Sequence, residues 1–206
     1  MQLSAIREER SHHTPDSIAF HPGRKRDNEM VQYRRSYVPG GTYFFTVTLQ
    51  NRPSTLLVDY VDLLRECFRN IKKDKPFNIE AMVIMPDHLH TIWTLPEHDA
   101  DYSARWKAIK SLFTRKIKKA GVDIPSNTRG EHALWQKRFW EHTIQNEQDM
   151  NTHIDYIHFN PVKHGYVNSV KEWPYSSFHR YVDKGMLEKT WGGNQYEKES
   201  EGNFGE

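Results

Sequence analysis

Residues 77 to 95, FNIEAMVIMPDHLHTIWTL, constrain the fold more than any other stretch of the chain. Apolar residues alternate from Phe77 and then run without interruption to Met85, as in a strand covered on both faces. Pro86-Asp87 signals a turn, and His88 to Leu95 returns as a second strand, so the stretch reads as a hairpin. It also carries two polar rings. Positions i and i+2 of a strand share a face, which makes His88 and His90 neighbours and turns Leu89 the other way. Such a pair is either two packed histidines or two ligands of a metal, neutral imidazole being the commonest metal ligand.

The flanking segments fall into place around this hairpin. TYFFTVTLQ (Thr42 to Gln50), rich in aromatic and β-branched residues and preceded by Pro39-Gly40-Gly41, reads as the first strand. Asp59 to Lys73 spaces Val61, Leu64, Phe68 and Ile71 as a helix does, with Asp59 as its N-cap. A second helix over Asp101 to Ala120 carries Trp106, Ile109, Phe113 and Ile117, and stops at Gly121. WQKRFWEHTI (Trp135 to Ile144) is the fourth strand, and Asn146 to Gly165 is a third helix disturbed near Pro161. The order β-α-β-β-α-β plus a helix predicts an α+β, ferredoxin-like sandwich with an antiparallel sheet and one additional C-terminal helix.

With 206 residues, 36% hydrophobic and 27% charged, the chain suits one domain with polar ends. Residues 1–30 and 184–206 read as polar, disordered extensions around a domain at 31–183. Cys67 is the single cysteine, which leaves no internal disulfide to form and fits a cytoplasmic protein. No run approaches the ~20 apolar residues of a membrane span. The net charge of +2 names no partner by itself, so local clusters have to.

Between Arg105 and Lys119 lie Arg105, Lys107, Lys110, Arg115, Lys116, Lys118 and Lys119, with no acidic residue among them. A solvated helix face usually mixes signs, so this run favours a surface that tracks phosphates. Tyr33, Arg34, Arg35 and Tyr37 form a second cluster suited to stacking on unpaired bases. In the third helix Tyr156 and Asn160 stand four residues apart on one face, with His153 and Lys163 nearby. Asn160 is an amide-oxygen ligand suited to a hard cation. Pro161 should kink or end the helix and so turn that amide outward, or it serves only as a terminator.

These residues match a known pattern. YRRSYVPGGTYFFTVTLQNR, MPDHLHTIWTLPEHD, WQKRFWEHTIQNEQD, HIDYIHFNPVKHGYV and EWPYSSFHRYV together span about Gln32 to Val182, and the chain resembles the REP-associated tyrosine transposases, relatives of the single-tyrosine HUH transposases of small insertion sequences. The resemblance implies that His88 and His90 are the HUH pair, that Tyr156 is the nucleophile, and that Asn160 is a third ligand for Mg²⁺ or Mn²⁺. Insertion-sequence relatives often have glutamine where this chain has the shorter Asn160. It further implies a 5′-phosphotyrosine intermediate, and single-stranded DNA at a palindromic hairpin as substrate. From the charge pattern, Arg34, Arg35, Arg105, Lys107, Lys110, Arg115, Lys118 and Lys163 are expected to contact that DNA. Homodimer and monomer are both compatible with it, as is nucleoid association when DNA is bound. The residues alone leave three other readings open: a replication-initiator-type nickase, a non-enzymatic single-stranded nucleic-acid-binding module, and a structural zinc site.

Overall fold

The computed structural model describes residues 35–126 and 133–192. The extension expected over residues 1–30, Tyr33, Arg34 and the chain beyond residue 192 lie outside them.

The first strand, β1 (Thr42–Thr48), leaves only Thr42 partly exposed. Its alternating aromatic and β-branched side chains suit a pleated surface covered on both sides. Gly40, in the turn before it, has φ +69°, and a Cβ there would lie 3.1 Å from the Glu97 Cα, so conformation and space both require glycine. After β1 come a single helical turn, α1 (Leu56–Asp59), and the longer α2 (Val61–Asp74). The hairpin expected from the sequence is β2 (Asn78–Ile84) and β3 (His88–Thr94). Next are α3 (Tyr102–Lys119), the short β4 (Trp140–Thr143) and α4 (Glu147–Lys163). A 3-10 turn at Val170–Glu172 and α5 (Phe178–Asp183) complete the series.

The sheet order is β2-β3-β1-β4, antiparallel throughout, which is the ferredoxin-like arrangement. Tyr43, Phe45, Val47, Leu89 and Trp93 face α2 and α3, where they meet Leu64, Phe68, Trp106 and Phe113. Trp93 and Trp106 stack there with centroids 4.2 Å apart. Phe44, Ala81, Val83 and Ile92 point to the other face and pack on Tyr156 and Ile157 of α4. Covering on both sides is why the hairpin sequence turns continuously apolar.

Three local expectations change. Asp59 does not cap α2: it ends α1, its carboxylate accepts from Thr55 Oγ1 at 2.6 Å, and α2 starts at Val61. The chain turns early because Leu57 is fully buried and its N–H is tied to the Pro86 carbonyl. The fourth strand is shorter than Trp135–Ile144. Trp135 forms only an isolated bridge to Leu49, and its indole donates to the Lys110 carbonyl, which draws the chain away from the ladder before Trp140. Finally, α4 passes through Pro161 instead of ending there. In the last turn the proline removes one ladder bond, while its own carbonyl accepts from the Tyr166 N–H and the Asn160 carbonyl from the His164 N–H.

Candidate active site

β3 places His88 and His90 on the α4 side of the sheet, with ring centroids 4.9 Å apart and exposures of 2% and 0%. Imidazoles so buried need their nitrogens accounted for. The Nδ1 of His90 bonds Thr46 Oγ1 at 2.9 Å, across the ladder from it on β1. The Nδ1 of His88 bonds Asp87 Oδ1 at 2.7 Å, and Arg52 Nε holds the other carboxylate oxygen at 2.9 Å. Burial raises the Asp87 carboxyl, but the hydrogen bond with His88 and the nearby Arg52 charge outweigh it and leave the group below its ordinary pKa. An anionic acceptor at Nδ1 keeps the proton there and the lone pair on Nε2. His88 Nε2 is buried with no hydrogen-bond partner among the described residues.

The sequence builds α4 to face this pair. The Asn146 side chain caps it by accepting from the Asp149 N–H at 2.9 Å, and Glu147 and Asp149 complement the positive end of its dipole. Tyr156, 2% exposed, lies with its ring centroid 5.1 Å from that of His90 and 6.0 Å from that of Phe44. Lys163 Nζ sits 4.9 Å from the Tyr156 ring centroid. Two turns after Tyr156, the C-cap residue His164 approaches His88 at 5.3 Å between centroids. Asn160, fully buried, lies one turn from each of these contacts, on the same helical face. The structure thus brings Tyr156, His88 and His90 together, with Asn160 on the face between them.

A second polar cluster pins the start of the same helix. His142 Nε2 of β4 bonds Asp149 Oδ2 at 2.8 Å, and His153 Nδ1 lies 2.9 Å from Asp149 Oδ1 and 2.8 Å from the Asp149 carbonyl. The His142 and His153 rings stack at 4.7 Å. Donor atoms of the three residues lie within 4.8 Å of one another, compact enough for a metal. As arranged, an imidazole engages each carboxylate oxygen, so the trio fastens α4 to the sheet edge.

The basic residues expected to meet DNA separate into two groups. Arg105 is 2% exposed: its guanidinium grips both Asp99 oxygens, at 3.1 and 2.6 Å, and the Asp101 and Pro76 carbonyls, each at 2.8 Å. Lys110 donates to the Gln136 carbonyl at 2.7 Å, and burial, helped by Arg35, pushes its ammonium down to about 8. These two side chains face inward, so neither takes the phosphate-facing place expected of it; composition reveals charge and not direction. Lys107, Arg115, Lys118 and Lys163 are exposed. Arg35 is partly exposed, lies over the Phe139 ring at 4.2 Å and donates to Ser103 Oγ at 2.6 Å. Helix α3, with Lys107, Arg115 and Lys118, packs on the face of the sheet opposite Tyr156.

Sequence reasoning overlooked the supports of the site. Thr46 and Arg52 carry no signal in a single sequence. Asp87 carries one, a carboxylate beside a candidate ligand, but its place after a proline reads as turn chemistry.

The sequence pattern of the family described as "Transposase IS200 like" matches residues 37–160, which include the histidine pair and Tyr156. The chain belongs to this family of DNA-cleaving and joining enzymes. It is 47% identical to the REP-associated tyrosine transposase of Escherichia coli (strain K12) over 165 residues, 80% of this chain and 93% of the relative. A putative REP-associated tyrosine transposase of Haemophilus influenzae (strain ATCC 51907 / DSM 11121 / KW20 / Rd) is 44% identical over 167 residues, covering 80% and 95%. A solved structure of a REP-associated tyrosine transposase bound to a REP hairpin superposes with a TM-score of 0.71 at 47% identity, covering 80% of this chain and 93% of that one. Among the described residues no helix is long and apolar enough to cross a membrane.

Proposed function

We propose that the chain cleaves and rejoins single-stranded DNA at the foot of a palindromic hairpin, with Tyr156 as nucleophile and His88, His90 and Asn160 as ligands of Mg²⁺ or Mn²⁺. The observation that carries this reading is the placing of the Tyr156 ring 5.1 Å from His90 inside a buried histidine pair. The donor set fits a metal: two imidazoles and an amide oxygen are neutral ligands, and His88 Nε2 is buried without a hydrogen bond among the described residues. When bound, the ion supplies Lewis acidity toward the scissile phosphate. The REP hairpin held by the relative of known structure points to the same class of DNA here, and DNA as substrate puts the action at the nucleoid.

The protein's own groups do the rest. The Tyr156 hydroxyl attacks phosphorus, a P–O bond to the tyrosine forms, and the bond to the 3′ oxygen breaks. The phenol gives up one proton and the departing 3′ oxygen takes one, so the products are a 5′-phosphotyrosine and a free 3′-hydroxyl. Phosphoester bonds are conserved in number, and a 3′-hydroxyl can reverse the step without ATP. A phenol of ordinary pKa about 10 is a weak nucleophile at neutral pH, so orientation matters. α4, fastened at its first turn by Asp149 and packed on Phe44, holds the ring, and the Lys163 ammonium beside it opposes the charge of the phosphate.

The test is incubation with Mn²⁺ or Mg²⁺ and labelled hairpin DNA with its single-stranded flanks, taken from beside the protein's own gene. We expect a metal-dependent covalent protein–DNA adduct on a denaturing gel that Tyr156→Phe abolishes. Tight binding without adduct, with either metal, would instead support a non-enzymatic binding module.

A further inference from the structure

The corner that follows α4 carries chemistry that strand cleavage itself does not require. The helix closes at Gly165, φ +70°, whose N–H bonds the Val162 carbonyl at 2.9 Å while the Tyr166 N–H bonds the Pro161 carbonyl at 3.0 Å. This paired closure fixes the backbone and the position of the residue after the glycine. Tyr166 packs against Trp173 at 5.5 Å between centroids, and yet it is 47% exposed. Exposed His164 lies 6.3 Å from Tyr166 at an angle of 34°, and 5.3 Å from His88 on its other side. A line of rings therefore runs from the histidine pair to the surface.

Packing accounts for part of Tyr166, since a residue in this place usually makes an apolar contact with the last turn of the helix. It does not account for a large aromatic ring left nearly half in water beside a buried polar site. The electrostatics are one-sided as well. Residues 163 to 167 read Lys-His-Gly-Tyr-Val without a carboxylate, and the nearby Glu172 is engaged by the Asn168 N–H at 3.1 Å. Partly exposed π-faces beside an ammonium suit unpaired bases on a phosphate backbone better than an apolar peptide.

We propose that His164 and Tyr166 form a stacking platform for the unpaired nucleotides that flank the scissile phosphate, with Lys163 facing their backbone. This rests on the reading of Tyr156 as a nucleophile for single-stranded DNA. A base lying on Tyr166 continues the line of rings that starts at His88, and it holds the strand so that the scissile phosphate stays beside Tyr156. Because the two backbone hydrogen bonds and Trp173 already hold the tyrosine, stacking orders few further side-chain torsions.

The test uses the same hairpin DNA without divalent metal, with 2-aminopurine at the first unpaired position on one side or the other, bound to wild type, Tyr166→Phe and Tyr166→Leu. On at least one side wild type and Tyr166→Phe should quench the fluorescence. Tyr166→Leu should lose the quenching and bind about 5- to 100-fold more weakly, while a blunt hairpin lacking flanks is bound equally by all three. Equal quenching by the leucine variant, or the same loss of affinity on the blunt hairpin, would show that Tyr166 only closes the helix, and would leave the reading of Tyr156 standing. If wild type bound none of these hairpins, both that reading and the platform would fall.

Discussion

A histidine becomes a ligand largely through what holds its other nitrogen. Asp87 holds that nitrogen of His88 at 2.7 Å, and Arg52 holds the carboxylate in place, which on the proposed reading readies His88 for a metal. Asp87→Asn preserves shape but removes the anionic acceptor, so the protein should bind Mn²⁺ about 10- to 100-fold more weakly with its fold intact, as a metal titration beside a circular-dichroism melt can show. Arg105 presents the opposite case, a residue whose charge suggests DNA and whose surroundings are structural. Arg105→Ala strips the partner from Asp99 and leaves the Pro76 and Asp101 carbonyls without their donor. Asp99 is about a third exposed and water can replace its partner, so the loss comes mainly from the orphaned carbonyls, about 1–3 kcal/mol. Chemical denaturation should show that loss, while hairpin affinity per folded molecule stays at the wild-type level.

At the scale of elements, α4 is the part on which the proposed chemistry depends. Its outer side docks on α5 through His158, which is fully buried, bonds Ser177 Oγ at 3.0 Å and packs on Phe178 and Tyr181. Burial pushes this ring down to about 3, and the Arg180 and His179 charges add to the shift. Its folded pKa lies below the ordinary 6.5, so between those values the unfolded chain holds more protons than the folded one. Stability from this site is complete above pH 6.5 and falls as pH drops toward 3, by up to about 1.4 kcal/mol per pH unit. His153, likewise lowered by burial, acts in the same direction just below 6.5. Asp87, Asp99 and Asp149 are all depressed and lose their contributions only below about 4. The melting temperature should therefore fall between pH 6.5 and 4 in wild type, and His158→Gln should flatten that fall.

The elements were legible where one physical signal dominated. Aromatic and β-branched content gave β1, the turn at Pro86-Asp87 gave the hairpin, and Gly121 and Gly165 mark helix ends with φ of +93° and +70°. Legibility failed where a distant contact overrode a local preference. Thr55 and Pro86 take up the start of the first helical segment and deprive Asp59 of its capping role. The Lys110 carbonyl draws Trp135 off the fourth strand, and the Schellman closure carries α4 past its proline. Of the candidate site, His88 with His90 and Tyr156 with Asn160 could be paired because their spacing is local, while their roles came from the family resemblance. Thr46 and Arg52 could not, because only the sheet register and the loop after β1 bring them in.

At the scale of the whole fold, the exposed basic residues of α3 and the candidate site lie on different sides of one sheet. Lys107, Arg115 and Lys118 lie beyond the core from Tyr156, so any grip they have on DNA acts on a different part of the molecule from the scissile phosphate. Reversing all three to glutamate should weaken hairpin binding and make its dependence on log salt shallower by up to about 3, one phosphate contact for each residue. The rate of adduct formation at saturating DNA should hold. A fall in that rate would show that α3 takes part in positioning the reacting strand.

The sheet order also bears on how the protein is made. β1 leaves the ribosome first of the four strands yet lies inside the sheet, between β3 and an edge strand that follows it by about ninety residues. Pairings of such separation form late, because the loop must close before the contacts reward it. Tyr156 comes later still, on a helix that can dock only once β2 and β3 offer their second face. An unfinished nascent chain thus displays both histidines before Tyr156 exists, and on the proposed reading the capacity to break a genome arrives only with the last major helix.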